Sequence, residues 1–265
     1  MMDWRKHEHV GLKVEADGHV AVITLDNPPA HTWTVHSLSA LRDLVGALNA
    51  DKTIYALVIT GSGEKFFSAG ADLKQFASGD KAAAREAARR FGEAFEALSG
   101  FRGVSIAAIN GYAMGGGLEC ALACDLRIIE AHAQVALPEA TVGLLPCAGG
   151  TQNLPRLVGE GWAKRMILLG ERIDADTAVR IGLAEEKVGK GDAKALALEW
   201  AQKAGKQSPS SIAACKTLVQ ATRTGTHGAA LVAEREAFVD LFDRADQAEG
   251  VNAFLEKRAP QWKNA

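Results

Sequence analysis

Three short apolar runs limit what this chain of 265 residues can fold into more than any other feature. Residues 19–25 (HVAVITL), 54–60 (IYALVIT) and 104–109 (VSIAAI) are rich in β-branched side chains and bounded by turn residues. A strand with one wet face alternates apolar and polar residues, whereas these runs are apolar almost throughout. That is the habit of parallel strands covered by helices on both faces. Helical patterns lie between them: Leu38, Leu41, Leu44, Val45 and Leu48 recur at helical spacing, as do Phe91, Phe95 and Leu98. The chain reads as an α/β core with mainly parallel pairing.

Beyond about residue 190 the strand signals stop. Ser208-Pro209 is expected to open a helix, with Ser as cap and Pro in the first turn. Residues 229–242 continue in helical period. Asp246 and Glu249 resemble a capping box ahead of Val251, Phe254 and Leu255. The expected division is an α/β core carrying the active site over residues 1–200 and an all-helical region over 201–265. So small a helical piece buries little core of its own, so it is expected to pack on a partner subunit or back on the core.

Composition excludes several classes. An apolar fraction of 48% with 23% charged residues excludes wholesale disorder. Thirty basic against thirty-two acidic side chains give a net charge of −2, which argues against a dedicated nucleic-acid binder. No apolar run reaches the ~18 residues of a membrane helix, and the start MMDWRKHEHV lacks the apolar stretch of a secretory signal. The expected location is cytoplasmic. Cys120, Cys124, Cys147 and Cys215 do not have the spacing of a zinc site, so no metal is expected and the thiols are expected to be reduced and mostly buried.

Two stretches share a layout of strand, Gly turn, small-residue loop and helix. Residues 54–60 run into Gly61 and then FFSAGADL (66–73); residues 104–109 run into Asn110-Gly111 and then AMGGGLEC (113–120). Such loops gather at the carboxyl ends of parallel strands, where α/β proteins place their sites. Gly115, Gly116 and Gly117 precede an apolar helix whose first amides lack partners, so a carbonyl oxygen placed there would be polarised. Tight helix packing explains the glycines equally well. The second loop, Ser68-Ala69-Gly70-Ala71-Asp72, also bares backbone amides, with Asp72 suited to capping the next turn. Two amides on one oxygen fit thioester activation better than phosphate binding, because neither nucleotide-loop motif is present.

Two carboxylates stand in apolar settings: Glu119, between Leu118 and Cys120, and Glu139, after Pro138 in an apolar, turn-rich stretch. Such a pair can serve as acid and base near neutral pH, or each can be a capping or salt-bridged residue. Phe76, Phe91 and Phe95 are either core or the wall of a pocket.

At these residues the sequence resembles the enoyl-CoA hydratase/isomerase, or crotonase, superfamily. The likeness runs from ITLDNPPA (23–30) through FFSAGADL, INGYAMGGGLECALACDLRI (109–128) and LPEATVGLLPCAGGTQNLPRLVG (137–159) to EGVNAFLEKR (249–258). The resemblance implies a superhelix of repeated ββα turns, followed by helices that build a homotrimer or a homohexamer of two trimers. It implies that the Ala69 and Gly116 amides form an oxyanion hole, within a substrate-binding set of Ala69, Gly70, Ala71, Asp72, Gly116, Cys147 and Lys257. Lys257 would reach the CoA phosphates of a neighbouring subunit. Glu119 and Glu139 match the two catalytic acids of the hydratases, which add water to a 2-enoyl-CoA. No cofactor is implied, since CoA is part of the substrate.

Two departures from the family pattern stand out. Cys147 replaces the usual Gly of P-G-A-G-G-T, and Trp33 replaces a smaller residue where the pantetheine arm is expected to run; His31 is either a CoA contact or a plain loop residue. The alternative activity is double-bond isomerisation, which uses one carboxylate. An RNA-binding or scaffold role would draw on Lys81, Arg85, Arg89 and Arg90, charges that Glu86 and Glu93 explain more simply as a solvated helix face.

Overall fold

The computed structural model describes Trp4 and residues 11–265, and the amino-terminal residues used in the leader argument lie otherwise outside that range. Strands β1 (Gly11–Asp17) and β2 (Val20–Asp26) form an antiparallel hairpin. To β2 are added, all in parallel, β3 (Ala56–Gly61), β5 (Val104–Ile109), β7 (Leu126–Glu130) and β10 (Glu186–Val188). A smaller sheet of β4 (Phe66–Ser68), β6 (Tyr112–Met114), β8 (Gln134–Ala136) and β9 (Ile173–Asp174) stands beside it, and β9 runs into the short helix α5 (Ala175–Arg180).

The two sheets are wound together by repetition. Strands β3 and β4 lead to helix α2 (Lys81–Ser99), β5 and β6 to α3 (Gly116–Ala123), and β7 and β8 to a 3-10 turn at Glu139–Val142 and then α4 (Gly150–Leu168). Each ββα turn puts its second strand and the following loop on one side of the molecule. That is where the chemistry gathers.

The continuous apolar strands are explained by cover on both faces. Leu57, Ile59, Ala107, Ile109 and Ile129 face the main core with Leu38, Leu41, Leu44 and Leu48 of α1 (Val35–Ala50). Ala56, Val58, Ile106, Ala108 and Ile128 face outward and are covered by Ala193, Ala197 and Ala201 of α6 (Ala193–Gly205). The boundary expected at residue 200 therefore falls inside a helix of the core.

The part lacking a core of its own begins with α7 (Pro209–Ala221), capped by Ser208 as expected, and continues through α8 (His227–Asp240) and α9 (Ala245–Leu255). The capping box at Asp246 does not form: Arg244 is the cap, and Glu249 pairs with Arg258 instead. Asp246 is buried and accepts from the Lys263 and Asn264 amides and from Ser210 Oγ, tying the carboxyl-terminal tail to α7. Among the described residues no helix is long and apolar enough to cross a membrane.

Candidate active site

Three loops meet over one cavity of about 620 Å³. Its lining includes Ala69 and Ala71 from the first turn, Gly115, Gly116 and Glu119 from the second, and Glu139 and Cys147 from the third.

Glycine is required where these loops touch. A Cβ on Gly70, whose φ is +87°, would stand 2.6 Å from the Met114 carbonyl, and one on Gly117 would stand 2.2 Å from the Ser68 carbonyl. Both are impossible contacts, so the two loops approach as closely as backbones can. Tight packing and exposed amides, alternatives in the sequence, are one arrangement here.

The amides themselves correct one expectation. The Ala69 amide donates to the Ala30 carbonyl at 2.9 Å, so it is committed inside the chain. Its neighbour differs. Ala71 pairs with Trp33 in a parallel bridge whose bonds use the Gly70 carbonyl and the Asp72 amide, which leaves the Ala71 amide without an acceptor among the described residues. The Gly116 amide, at the start of α3, also lacks an acceptor among the described residues; the first bonded amide of that turn is Glu119, to the Gly115 carbonyl. The free pair is therefore Ala71 and Gly116. The sequence places both alanines in one loop, but only the bridge decides which amide is spent.

Glu119 is 2% exposed, and its Oε1 accepts from the Ala148 and Gly150 amides at 2.8 Å each. No hydrogen bond reaches its Oε2 among the described residues. Burial pushes the Glu119 carboxyl above the ordinary range, and the two amides act against that. Glu139 has less support, a backbone hydrogen bond from its own amide alone. Its Oε2 is buried without a hydrogen bond, and its pKa rises from 4.5 to about 7, first through burial and further through the charge of Glu119. The two carboxylates thus differ: one is braced by amides that favour its charged form, the other is held neutral up to about pH 7.

Cys147 lines the cavity and is exposed, like Cys215, so only Cys120 and Cys124 are the buried thiols expected. Although the residue is open to the cavity, the protein packed around its thiol and then both glutamates push it up to about 11, which keeps it protonated and poorly nucleophilic at neutral pH. Phe76 and Phe91 line the cavity, whereas Phe95 packs edge-on to Trp33. Trp33 is 2% exposed, lies in the core and does not line this cavity. His31 is structural as well: its Nδ1 accepts from the Asn27 amide and its Nε2 donates to the Ser62 carbonyl. Asp72 caps the next turn by accepting from the Lys74 amide, and neither Asp72 nor Gly70 lines the cavity. Lys257 sits at the exposed end of α9, and the single chain does not bring it to the cavity. Arg89 and Arg90 are paired with Glu86, and Arg89 also with Glu93.

Free amide donors beside two unequal carboxylates define a protein built to polarise a carbonyl and move protons near it. The chain belongs to the enoyl-CoA hydratase/isomerase family, whose model matches residues 15–265. The solved structure of DspI from Pseudomonas aeruginosa is 65% identical, with a TM-score of 0.94 over 97% of this chain and 98% of that one. The 2,3-dehydroadipyl-CoA hydratase of Escherichia coli is 38% identical, matching 95% of this chain and 98% of its own. The short-chain-enoyl-CoA hydratase of Clostridium acetobutylicum is 35% identical, over 92% and 94%.

Proposed function

We propose that the protein is an enoyl-CoA hydratase, adding water across the double bond of a 2-enoyl-CoA to give a 3-hydroxyacyl-CoA. The observation that carries this reading is the pair of carboxylates on one cavity, both raised by burial but unequally supported by backbone amides. The thioester oxygen accepts from the Ala71 and Gly116 amides. Charge grows on that oxygen as the β-carbon is attacked, so the amides bind the transition state more strongly than the substrate. Glu119, ionised and steadied at Oε1 by two amides, takes a proton from water through Oε2 as the water oxygen bonds to the β-carbon. Glu139, still protonated, delivers its proton to the α-carbon. Proton exchange between the two carboxyls restores the starting state, and the net change is one water added. Because the groups are coupled, the pH dependence belongs to the pair. Only protons and a hydroxyl move, so the chemistry as drawn uses no metal or redox group.

The acyl tail is read from the rest of the lining. Leu73, Phe76, Ala88, Val142 and Leu144 are apolar, and among the described residues the charged lining side chains are the two glutamates. An uncharged hydrocarbon tail suits this wall. A tail ending in a carboxylate, such as the adipyl group named for the Escherichia coli relative, would meet two acids and no cation. Cytoplasmic location and a trimeric or hexameric assembly complete the reading.

The test is loss of enoyl absorbance with purified protein over a series of saturated-tail 2-enoyl-CoA substrates. Each added methylene should raise kcat/KM about 4-fold, the value of ~0.8 kcal/mol per buried CH2, until the tail fills the cavity. A 3-enoyl-CoA should shift its double bond only slowly. Rapid shift of the 3-enoyl bond with no hydration would make the protein an isomerase instead.

A further inference from the structure

Residues 30–33 form the partner of the loop that carries the free Ala71 amide. The Ala30 carbonyl accepts from the Ala69 amide at 2.9 Å, and the His31 carbonyl accepts from Ser68 Oγ at 2.7 Å. The Trp33 amide donates to the Gly70 carbonyl at 2.8 Å. The Trp33 carbonyl accepts twice, from the Asp72 amide at 3.1 Å and from Gln75 Nε2 at 2.9 Å. These bonds zip residues 68–72 to the segment; the Gly70 amide turns back to Ser68 Oγ at 3.2 Å, and the Ala71 amide is left without an acceptor among the described residues.

The side chain of the same residue reaches the other donor. The Trp33 ring lies edge-on to Phe95, with centroids 5.5 Å apart. Its Cδ1 is 3.6 Å from the point where a Cβ on Gly116 would stand, and Phe91 Cε1 is 2.9 Å from that point. The first turn of α3 therefore rests on aromatic edges, with no room to settle toward the core. One residue flanks both amide donors, its main chain bonding the residues on either side of Ala71 and its ring lying beside Gly116. Its Nε1–H is buried without an acceptor, an arrangement that costs stability rather than adding to it. The shape of the ring, not its polar atom, is what the site uses.

We infer that Trp33 is a positioning residue that sets the spacing of the Ala71 and Gly116 amides, and hence how strongly the thioester carbonyl is polarised. This rests on the hydratase reading, and the experiment separates the two. Para-dimethylaminocinnamoyl-CoA absorbs further to the red as its carbonyl is polarised, so its bound spectrum reports the amide pair without any turnover.

The variants are Trp33→Leu, Trp33→Phe, Gln75→Leu and, as a buried control on α1, Leu48→Ala. Trp33→Leu should lose at least half of the red shift. It should also lose roughly 10-fold in kcat, a fraction of what deleting one oxyanion donor costs, with KM within about 3-fold of wild type. Trp33→Phe should keep both, because the ring face remains. Gln75→Leu, which opens no void under α3, should move the spectrum the same way by less. Leu48→Ala should lower Tm and leave the spectrum alone.

A wild-type spectrum and kcat in Trp33→Leu would overturn the inference, as would an equal spectral loss in Leu48→Ala. Should Trp33→Leu fail to fold, an unchanged spectrum in Gln75→Leu overturns it instead. A wild-type protein that shifts the probe but hydrates no enoyl-CoA refutes the hydratase reading and leaves the Trp33 assignment intact. A wild-type protein that binds the probe without a red shift refutes both.

Discussion

At the scale of single residues, the two glutamates are distinguished by what surrounds them. Glu119→Gln and Glu139→Gln should each cost at least ~10²-fold in kcat, the size of one acid–base contribution. In the wild type, kcat should fall as pH rises through about 7, where Glu139 loses its proton. The same shift carries a cost in stability. The folded pKa lies above the ordinary 4.5, so the folded state favours the protonated form. The penalty is absent below about pH 4.5, grows toward pH 7 and is full above it. Glu139→Gln should therefore be more stable than wild type at pH 8 by about 1–3 kcal/mol, discounted for partial exposure, and indistinguishable from it at pH 4. Thermal melts at the two pH values decide this. Equal Tm differences at both would mean that Glu139 is not held neutral by its surroundings. The sequence showed that these carboxylates sit among apolar neighbours. It did not show the two amides beneath Glu119, because Ala148 and Gly150 come from a loop 29 and 31 residues away.

At the scale of elements, the start of α4 is as much part of the site as α3. A Cβ on Gly150 would stand 2.9 Å from Glu119 Oε1 and 2.8 Å from Pro146 Cβ. Gly150→Ala must therefore push the Glu119 carboxylate or shift its own amide, and either change spoils the brace. The expected outcome is a loss of at least ~10-fold in kcat with circular dichroism unchanged, since only one hydrogen bond to a charged group is disturbed. A variant of normal rate would show that the brace is dispensable. Element existence was legible for β2, β3 and β5, whose apolar runs match strands to within a residue or two. The short strands β4, β6 and β8 were not, since three residues cannot display a period. They are strands because the ββα winding sets them side by side.

At the scale of the whole molecule, the carboxyl-terminal helices leave large apolar side chains uncovered. Phe238, Phe242 and Phe254 are each more than half exposed, as are Leu255 and Val239. Helix α8 contributes no buried residue. The tail does return to the core, with Asn264 Nδ2 donating to the Lys52 carbonyl, but these side chains stay exposed. Light scattering should report a trimer or hexamer. Lys257→Ala should raise the KM for an enoyl-CoA about 5-fold, near the ~1 kcal/mol of a solvated charged hydrogen bond, and leave kcat alone. A fully active monomer at nanomolar concentration would refute the assembly and the shared role of Lys257 together.

What the sequence determined by itself was local or periodic. Apolar runs without alternation set a parallel sheet covered on both faces, and glycines beside small residues set loops that bare their amides. A glutamate within an apolar helix marked the site. What only the tertiary structure decided was partnership. The Ala69 amide is spent on Ala30 while that of Ala71 is free, and Trp33 lies in the core rather than in the cavity lining. Glu119 is braced by two amides from a distant loop and Glu139 is not. Each of these depends on which backbone group arrives opposite another across tens of residues. Hydrogen bonds are satisfied in pairs, and a sequence pattern shows only one member of each pair.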